Sequence, residues 1–167
     1  MEPGETVDLN LTPIQLDSNR PTFLHFFNPA CPCSRFNLDH IRALIQSHQA
    51  QVRFIAVLQG DQPNLREAFG KLGLNMESVI DSTGAIARAA GVYATPQAVL
   101  INRQGQLYYR GNYNATRYCT TKETEFARIA IQSLRDGKPH QPIPLEARTA
   151  YGCPLPKKQV QKTAITS

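Results

Sequence analysis

Residues 21–28, PTFLHFFN, form an apolar run with proline at position 21 and again at 29. Such a run reads as a buried strand. In the stretch that follows, Leu38, Ile41 and Ile45 fall at i, i+3 and i+7 with Leu44 beside them, which predicts an amphipathic helix starting near Cys33 or Ser34. Residues 52–58, VRFIAVL, are almost continuously apolar, the mark of a strand covered on both faces. Strand, helix and strand together predict a right-handed βαβ unit. Asn64 with Glu67 three residues on predicts a short helix over 65–72, and MESVI (76–80) a short strand. Ser82 and Gly84 lead into a helix over 85–90 stopped by Gly91. QAVLI (97–101) and QLYYR (106–110) flank NRQG and read as an antiparallel hairpin. Thr120 and Glu123 form a capping box for a helix over 123–136, with Phe126, Ile129, Ala130 and Leu134 on one face and Gly137 at its end. This order predicts an α/β fold with a central mixed sheet and helices on both faces.

Composition agrees with one globular domain. The 167 residues are 41% hydrophobic and 19% charged. No run reaches the roughly 18 apolar residues of a membrane span. The net charge of +5 is unevenly placed: residues 138–167 carry +4 and residues 1–137 only +1. A nucleic-acid surface would put basic residues and aromatics together on a folded element. None is visible, so no nucleic-acid partner is expected. Five of the twelve prolines lie in 138–167, which reads as an extended basic arm without a core of its own. The expected division is an N-terminal extension (1–20), a domain (21–137) and this arm (138–167). The first seventeen residues hold four acids and no apolar signal core, so either the protein is cytoplasmic or an export segment or membrane tether lies outside this chain.

The densest chemistry is Asn28-Pro29-Ala30-Cys31-Pro32-Cys33-Ser34-Arg35, where a strand gives way to a helix. Sites in open α/β sheets gather at the carboxyl ends of strands. A helix N-terminus offers free N–H groups and a partial positive charge, which favour the reactive thiolate. Pro32 suits a first helical turn. Cys31 is the expected nucleophile and the more exposed of the two cysteines. A second signal is Thr95-Pro96, just ahead of the strand at 97–101.

Together these features resemble the thioredoxin superfamily, in its redoxin branch of thiol–disulfide reductases and peroxiredoxin-like proteins, over residues 21–136. The resemblance implies a thioredoxin-like three-layer fold, with Pro96 in a cis peptide bond beside the reactive cysteine and Thr95 offering its backbone to a substrate strand. The family phrase aromatic-x-x-x-x-Cys-Pro-x-Cys-Arg aligns with Phe27, Cys31, Pro32 and Arg35, but it puts Ser34 where the second cysteine belongs, and Cys33 comes one residue early. The site is Cys-x-Cys. A bridge across one residue closes a very small ring and would be easily reduced. Either Cys31 and Cys33 form an oxidising couple, or a distant thiol resolves Cys31. Cys119 and Cys153 are the distant thiols. They pair as a structural staple holding the arm, one of them resolves Cys31, or they stay free. His25, six residues before Cys31, stands where related proteins often carry a buried acid used in proton transfer; the plain alternative is a core histidine bonded to backbone. His40 and His48 are expected to be solvated on their helix, and no role is assigned to them.

The expected function is thiol–disulfide exchange with a protein or small-thiol partner. Cys31 attacks, Cys33 is first choice as second thiol, Thr95 and Pro96 bind substrate and His25 shuttles the proton. No cofactor is expected, and the chain is read as a monomer. Three other readings stand beside this one. A peroxiredoxin-like peroxidase would need Pro and Thr or Ser where Leu24 and Asn28 stand. A copper-binding module would use Cys31, Cys33 and His25 as soft ligands. A non-catalytic module would only keep the fold. Disulfide chemistry leans to the periplasm as the compartment.

Overall fold

The computed structural model describes residues 1–60, 63–116 and 121–155. Cys119, Thr120 and the lysines at 157, 158 and 162 lie outside the described residues. The apolar run becomes strand β1 (Thr22–Phe27), buried at every position. β2 (Arg53–Leu58) pairs with β1 in parallel, and β3 (Glu77–Ile80) with β2 in parallel. β5 (Gln97–Ile101) is antiparallel to β1, and β6 (Leu107–Gly111) is antiparallel to β5. The five-stranded sheet has the order β3-β2-β1-β5-β6. β1 is its centre, which is why all six of its residues lack solvent contact.

Alternation along β1 sends side chains to two cores. Phe23 joins Leu44, Ile45, Leu100, Ala127 and Ile131 on one face, under α2 (Leu38–His48) and α5 (Phe126–Arg135). Leu24 and Phe26 join Ile55, Val99 and Ile101 on the other, under α4 (Ala85–Ala89). Phe27 packs with Leu65 and Phe69 of α3 (Leu65–Gly70). The α/β sandwich expected from periodicity is present.

Three elements differ in detail. The single helix expected after β1 is two: α1 (Pro32–Arg35) and α2, with Asn37 at the α2 N-cap. The Asn37 side chain makes no capping hydrogen bond, so the break is not held by a side-chain cap. The last helix starts later than expected. A 3-10 turn (Lys122–Thr124) precedes α5, whose buried residues are Ala127, Ala130 and Ile131, while Ile129 is 37% exposed. The buried face is set by contact with the sheet rather than by the largest side chains. Gly84 holds the N-cap position of α4 as expected, but the side chain that satisfies its first turn is the buried Asp81 carboxylate, which accepts from Ile86 N–H at 3.2 Å and Ala87 N–H at 2.9 Å.

Both flanks of the domain are docked on it. In the N-terminal extension Val7, Leu9 and Ile14 are buried, and Gly4 and Val7 N–H groups donate to Leu107 and Gly105 carbonyls at 2.7 and 2.9 Å. In the arm, Ile143 and Ala147 belong to the principal core, and α6 (Leu145–Arg148) lies against β6. Asn112 ties it down: its N–H donates to Ala147 O at 2.8 Å and its Nδ2 to Glu146 O and Thr149 O at 2.9 and 2.6 Å. At Gly111 a Cβ would lie 2.5 Å from Ala147 O, so only glycine allows this approach. Ile143 and Ala147 thus help to complete the core built by the sheet and its helices.

Ile143→Ala should lower unfolding stability by about 2–5 kcal/mol in urea denaturation, the range for a buried aliphatic truncation. A change under about 0.5 kcal/mol, typical of a surface position, would show that the arm is not part of the core.

Candidate functional site

The site forms where β1 and β5 meet at one end of the sheet. Phe26 pairs with Gln97, so the chain leaving β1 toward Cys31 passes the chain entering β5 from Thr95 and Pro96. The Thr95-Pro96 bond is cis, and both residues are buried. Cys31 is the residue just before α1, in extended conformation, and Pro32 opens the helix. The fully buried Ser34 hydroxyl accepts from Asn28 N–H at 3.2 Å and clamps the turn between β1 and α1. The residue in the second cysteine's place therefore has a structural duty here. α1 is a single turn separated from α2, so the dipole acting on Cys31 is that of one turn and not of the long helix expected.

Cys31 is bonded to Cys153, 122 residues away. Cys153 therefore cannot staple the arm to Cys119 in this state, and Cys33 is not the sulfur joined to Cys31. Cys33 is the free cysteine among the described residues. The three Sγ atoms of Cys31, Cys33 and Cys153 nevertheless lie within 4.8 Å of one another. Exposure reverses the expectation: Cys31 is 5% exposed and Cys33 is half-buried, because the arm closes over Cys31.

The arm reaches Cys31 as a strand. β7 (Cys153–Pro154) pairs antiparallel with β4 (Ala94–Thr95), with Cys153 opposite Thr95 and Pro154 opposite Ala94. Leu155 N–H donates to Tyr93 O at 3.1 Å. Ala94–Pro154 is then the pair without ladder hydrogen bonds, where the missing proline N–H costs nothing. Upstream, Tyr151 Oη donates to Asn37 Oδ1 at 3.4 Å, tying the arm to the break between α1 and α2. Gly152 lies so close that a Cβ there would sit 2.0 Å from Thr95 O and 2.5 Å from Thr95 C. Asn37 and Tyr151 were not singled out from sequence. The Gly-Cys-Pro phrase was the available signal, since a residue before proline is held extended and can serve as a strand.

His25 is wholly buried, and its Nδ1 hydrogen-bonds Tyr113 Oη at 2.5 Å. Its Nε2 has no hydrogen-bond partner among the described residues. It is therefore not the backbone-bonded core histidine of the plain alternative, and it stands outside the sulfur cluster that a copper site would use. Burial pushes the His25 pKa down to about 3, and the same burial raises Tyr113 well above the usual phenol value, so both are neutral near pH 7. His48 is buried and His40 half-buried, not solvated; loss of hydration lowers both, and the His40 ring packs edge-on to Tyr113 at 5.5 Å.

Solved structures share this fold. A hypothetical protein from Sinorhizobium meliloti superposes with a TM-score of 0.74 at 16% identity, covering 93% of this chain and 94% of its own. An uncharacterized conserved protein from Geobacillus kaustophilus gives 0.74 at 20%, covering 93% and 92%. The thioredoxin domain of a thiol-disulfide oxidoreductase from Bacteroides vulgatus gives 0.58 at 11%, covering 71% and 94%. No curated protein matches the chain. The fold is thioredoxin-like, with a Cys-x-Cys sequence at the first strand–helix junction. Within that class, residues 4–154 match the family described as domain of unknown function DUF6436, and the chain belongs to it.

A histidine whose folded pKa lies below its unfolded value contributes stability that is complete above about 6.5 and is lost as pH falls toward about 3. Urea midpoints should therefore drop between pH 7 and pH 4, with His25 contributing up to about 1.4 kcal/mol per pH unit. His25→Gln should flatten that slope. An unchanged slope would mean that His25 takes up its proton as readily in the folded as in the unfolded chain.

Proposed function

We propose that the protein is a thiol–disulfide oxidoreductase acting on protein dithiol or disulfide partners, with Cys31 as the exchanging sulfur and Cys153 as its second thiol. The observation that carries this reading is the Cys31–Cys153 bond formed with the arm laid as a strand along Thr95. In the reduced form the Cys31 thiolate attacks one sulfur of a partner disulfide, and the other partner sulfur leaves as a thiolate that takes up a proton. The Cys153 thiolate then attacks Cys31 Sγ, breaks the mixed disulfide and releases the partner as a dithiol. Two electrons have passed to the partner, and the chain holds the Cys31–Cys153 disulfide. A dithiol donor resets it by the same exchange in reverse. Cys33, with its sulfur within 4.8 Å of the other two, is the alternative second thiol. Thr95 and Pro96 are proposed to hold the partner strand. His25 is proposed as the proton relay, on its place in β1 six residues ahead of Cys31 and on the Nε2 that no described residue engages.

No helix among the described residues is long and apolar enough to cross a membrane. An extracytoplasmic, periplasm-like compartment is proposed as the working place, because a bridge of this kind persists in an oxidising space.

Insulin reduction with dithiothreitol as donor tests the assignment. Cys31→Ser should abolish turnover, and Cys153→Ser should slow it while trapping mixed disulfides on Cys31. Full activity in Cys31→Ser would end the proposal. Retained turnover in Cys153→Ser combined with its loss in Cys33→Ser would hand the second role to Cys33.

A second reading has one observation behind it. Three sulfurs within 4.8 Å would, once reduced, offer a soft ligand set for Cu(I), with Cys153 in the place that sequence gave to His25. Native mass spectrometry of the reduced chain with Cu(I) should show one tightly held ion that is lost in Cys153→Ser if this reading holds. No bound copper in the parent chain would remove it.

A further inference from the structure

The approach of Gly152 to Thr95 defines more than how the arm is seated. A Cβ at residue 152 would stand 2.0 Å from Thr95 O, 2.5 Å from Thr95 C and 3.0 Å from Pro96 Cδ. Thr95 is opposite Cys153 in the β4–β7 ladder, and β4 is joined to the sheet through Pro96 and β5. The atoms that would be struck are thus two backbone atoms of Thr95 and a ring carbon of Pro96 at a buried strand junction, with no flexible side chain that could swing away. The register that brings a sulfur to Cys31 is the same register that presses the preceding residue onto Thr95. A strand cannot have one without the other.

We propose that this site takes partner strands in which the reacting cysteine is preceded by glycine, and that the arm segment Tyr151-Gly152-Cys153-Pro154 is a resident copy of that ligand. The proposal rests on the exchange reading above and names its substrate class. A partner strand would lie antiparallel to β4, put its cysteine opposite Thr95 and leave its glycine against the Thr95 carbonyl. Alanine at that place drives a methyl into the carbonyl, so the strand must lift off and its sulfur withdraws from Cys31. Arm and partner use the same backbone edge and the same sulfur, so they exclude one another. Reaction of a partner requires the arm to leave, and its return displaces the partner. The exchange balances: the Cys31 thiolate attacks the peptide sulfur of a peptide–thionitrobenzoate disulfide, the new Cys31–peptide bond forms, and thionitrobenzoate leaves with the electron pair.

The test uses the full chain carrying Cys33→Ser and Cys153→Ser, so that a mixed disulfide at Cys31 persists. Three probes are offered as thionitrobenzoate disulfides: the N-acetyl, C-amide pentapeptides Tyr-Gly-Cys-Pro-Leu, Tyr-Ala-Cys-Pro-Leu and Tyr-Val-Cys-Pro-Leu. Capture on Cys31 is located by peptide mass mapping, and iodoacetamide labelling reports its access. The glycine probe should be captured roughly tenfold or more faster than the alanine probe, with valine slower still, as expected for a steric clash with fixed backbone. Adding Gly152→Val to the same chain should unseat the resident arm and raise capture of the glycine probe. Equal capture of all three probes overturns the glycine rule and leaves the exchange reading standing. No capture of any probe by a Cys31 that iodoacetamide labels overturns the exchange reading itself. Capture unchanged by Gly152→Val overturns the claim that arm and partner compete.

Discussion

The pairing of β1 with both of its neighbours governs everything at the site. β1 is parallel to β2 and antiparallel to β5, and its six side chains fill cores on both faces. A one-residue slip would turn Phe23 and Phe27 to the wrong side and exchange them for Leu24 and Phe26. With register held in this way, the place where the chain leaves β1 is fixed relative to the place where it enters β5. Cys31 and Thr95 are brought together by that geometry, although 64 residues of sequence separate them. The third sulfur arrives by a different route. Its strand is delivered by α6, which Asn112 and the bare backbone of Gly111 hold against β6. Two close approaches, at Gly111 and Gly152, therefore stand behind the bond between Cys31 and Cys153.

Much of this frame was legible in the sequence. Continuous apolar runs gave β1, β2 and β5, and proline and glycine marked where they stop. Cys31 ahead of Pro32, and Thr95 ahead of Pro96, were visible because each couples a chemical group to a backbone signal. What periodicity could not reveal were contacts made by short or unpatterned segments. α6 is one turn and β7 is two residues. Neither carries a period long enough to read, and proline content made the arm look detached. The bond between Cys31 and Cys153 depends on loop closure over more than a hundred residues, which spacing does not encode. The burial of His48, the break at Asn37 and the turned face of α5 were likewise decided by packing against distant elements.

The buried pair of His25 and Tyr113 shows a related limit. The sequence placed a titratable group in the strand that leads to the site, but whether it titrates near neutrality depends on its hydration and its partner. Burial at both groups makes the pair a neutral hydrogen bond inside the core. Any proton that His25 carries must be accepted against that loss of solvation.

The two borders of the sheet are finished differently. At β6 the opening residues lie alongside, and Gly4, Glu5 and Val7 exchange backbone hydrogen bonds with Leu107 and Gly105. At β3 the strand is only four residues long and begins with Glu77, whose carboxylate is gripped by Arg53 at 2.7 and 2.8 Å. A short, charged rim offers little to a second copy seeking to zip on, and a rim already covered offers less. The small β4–β7 ladder lies apart from both. When the arm lifts from β4, it bares a stretch of unsatisfied main chain too brief to seed fibre growth but long enough to greet a guest.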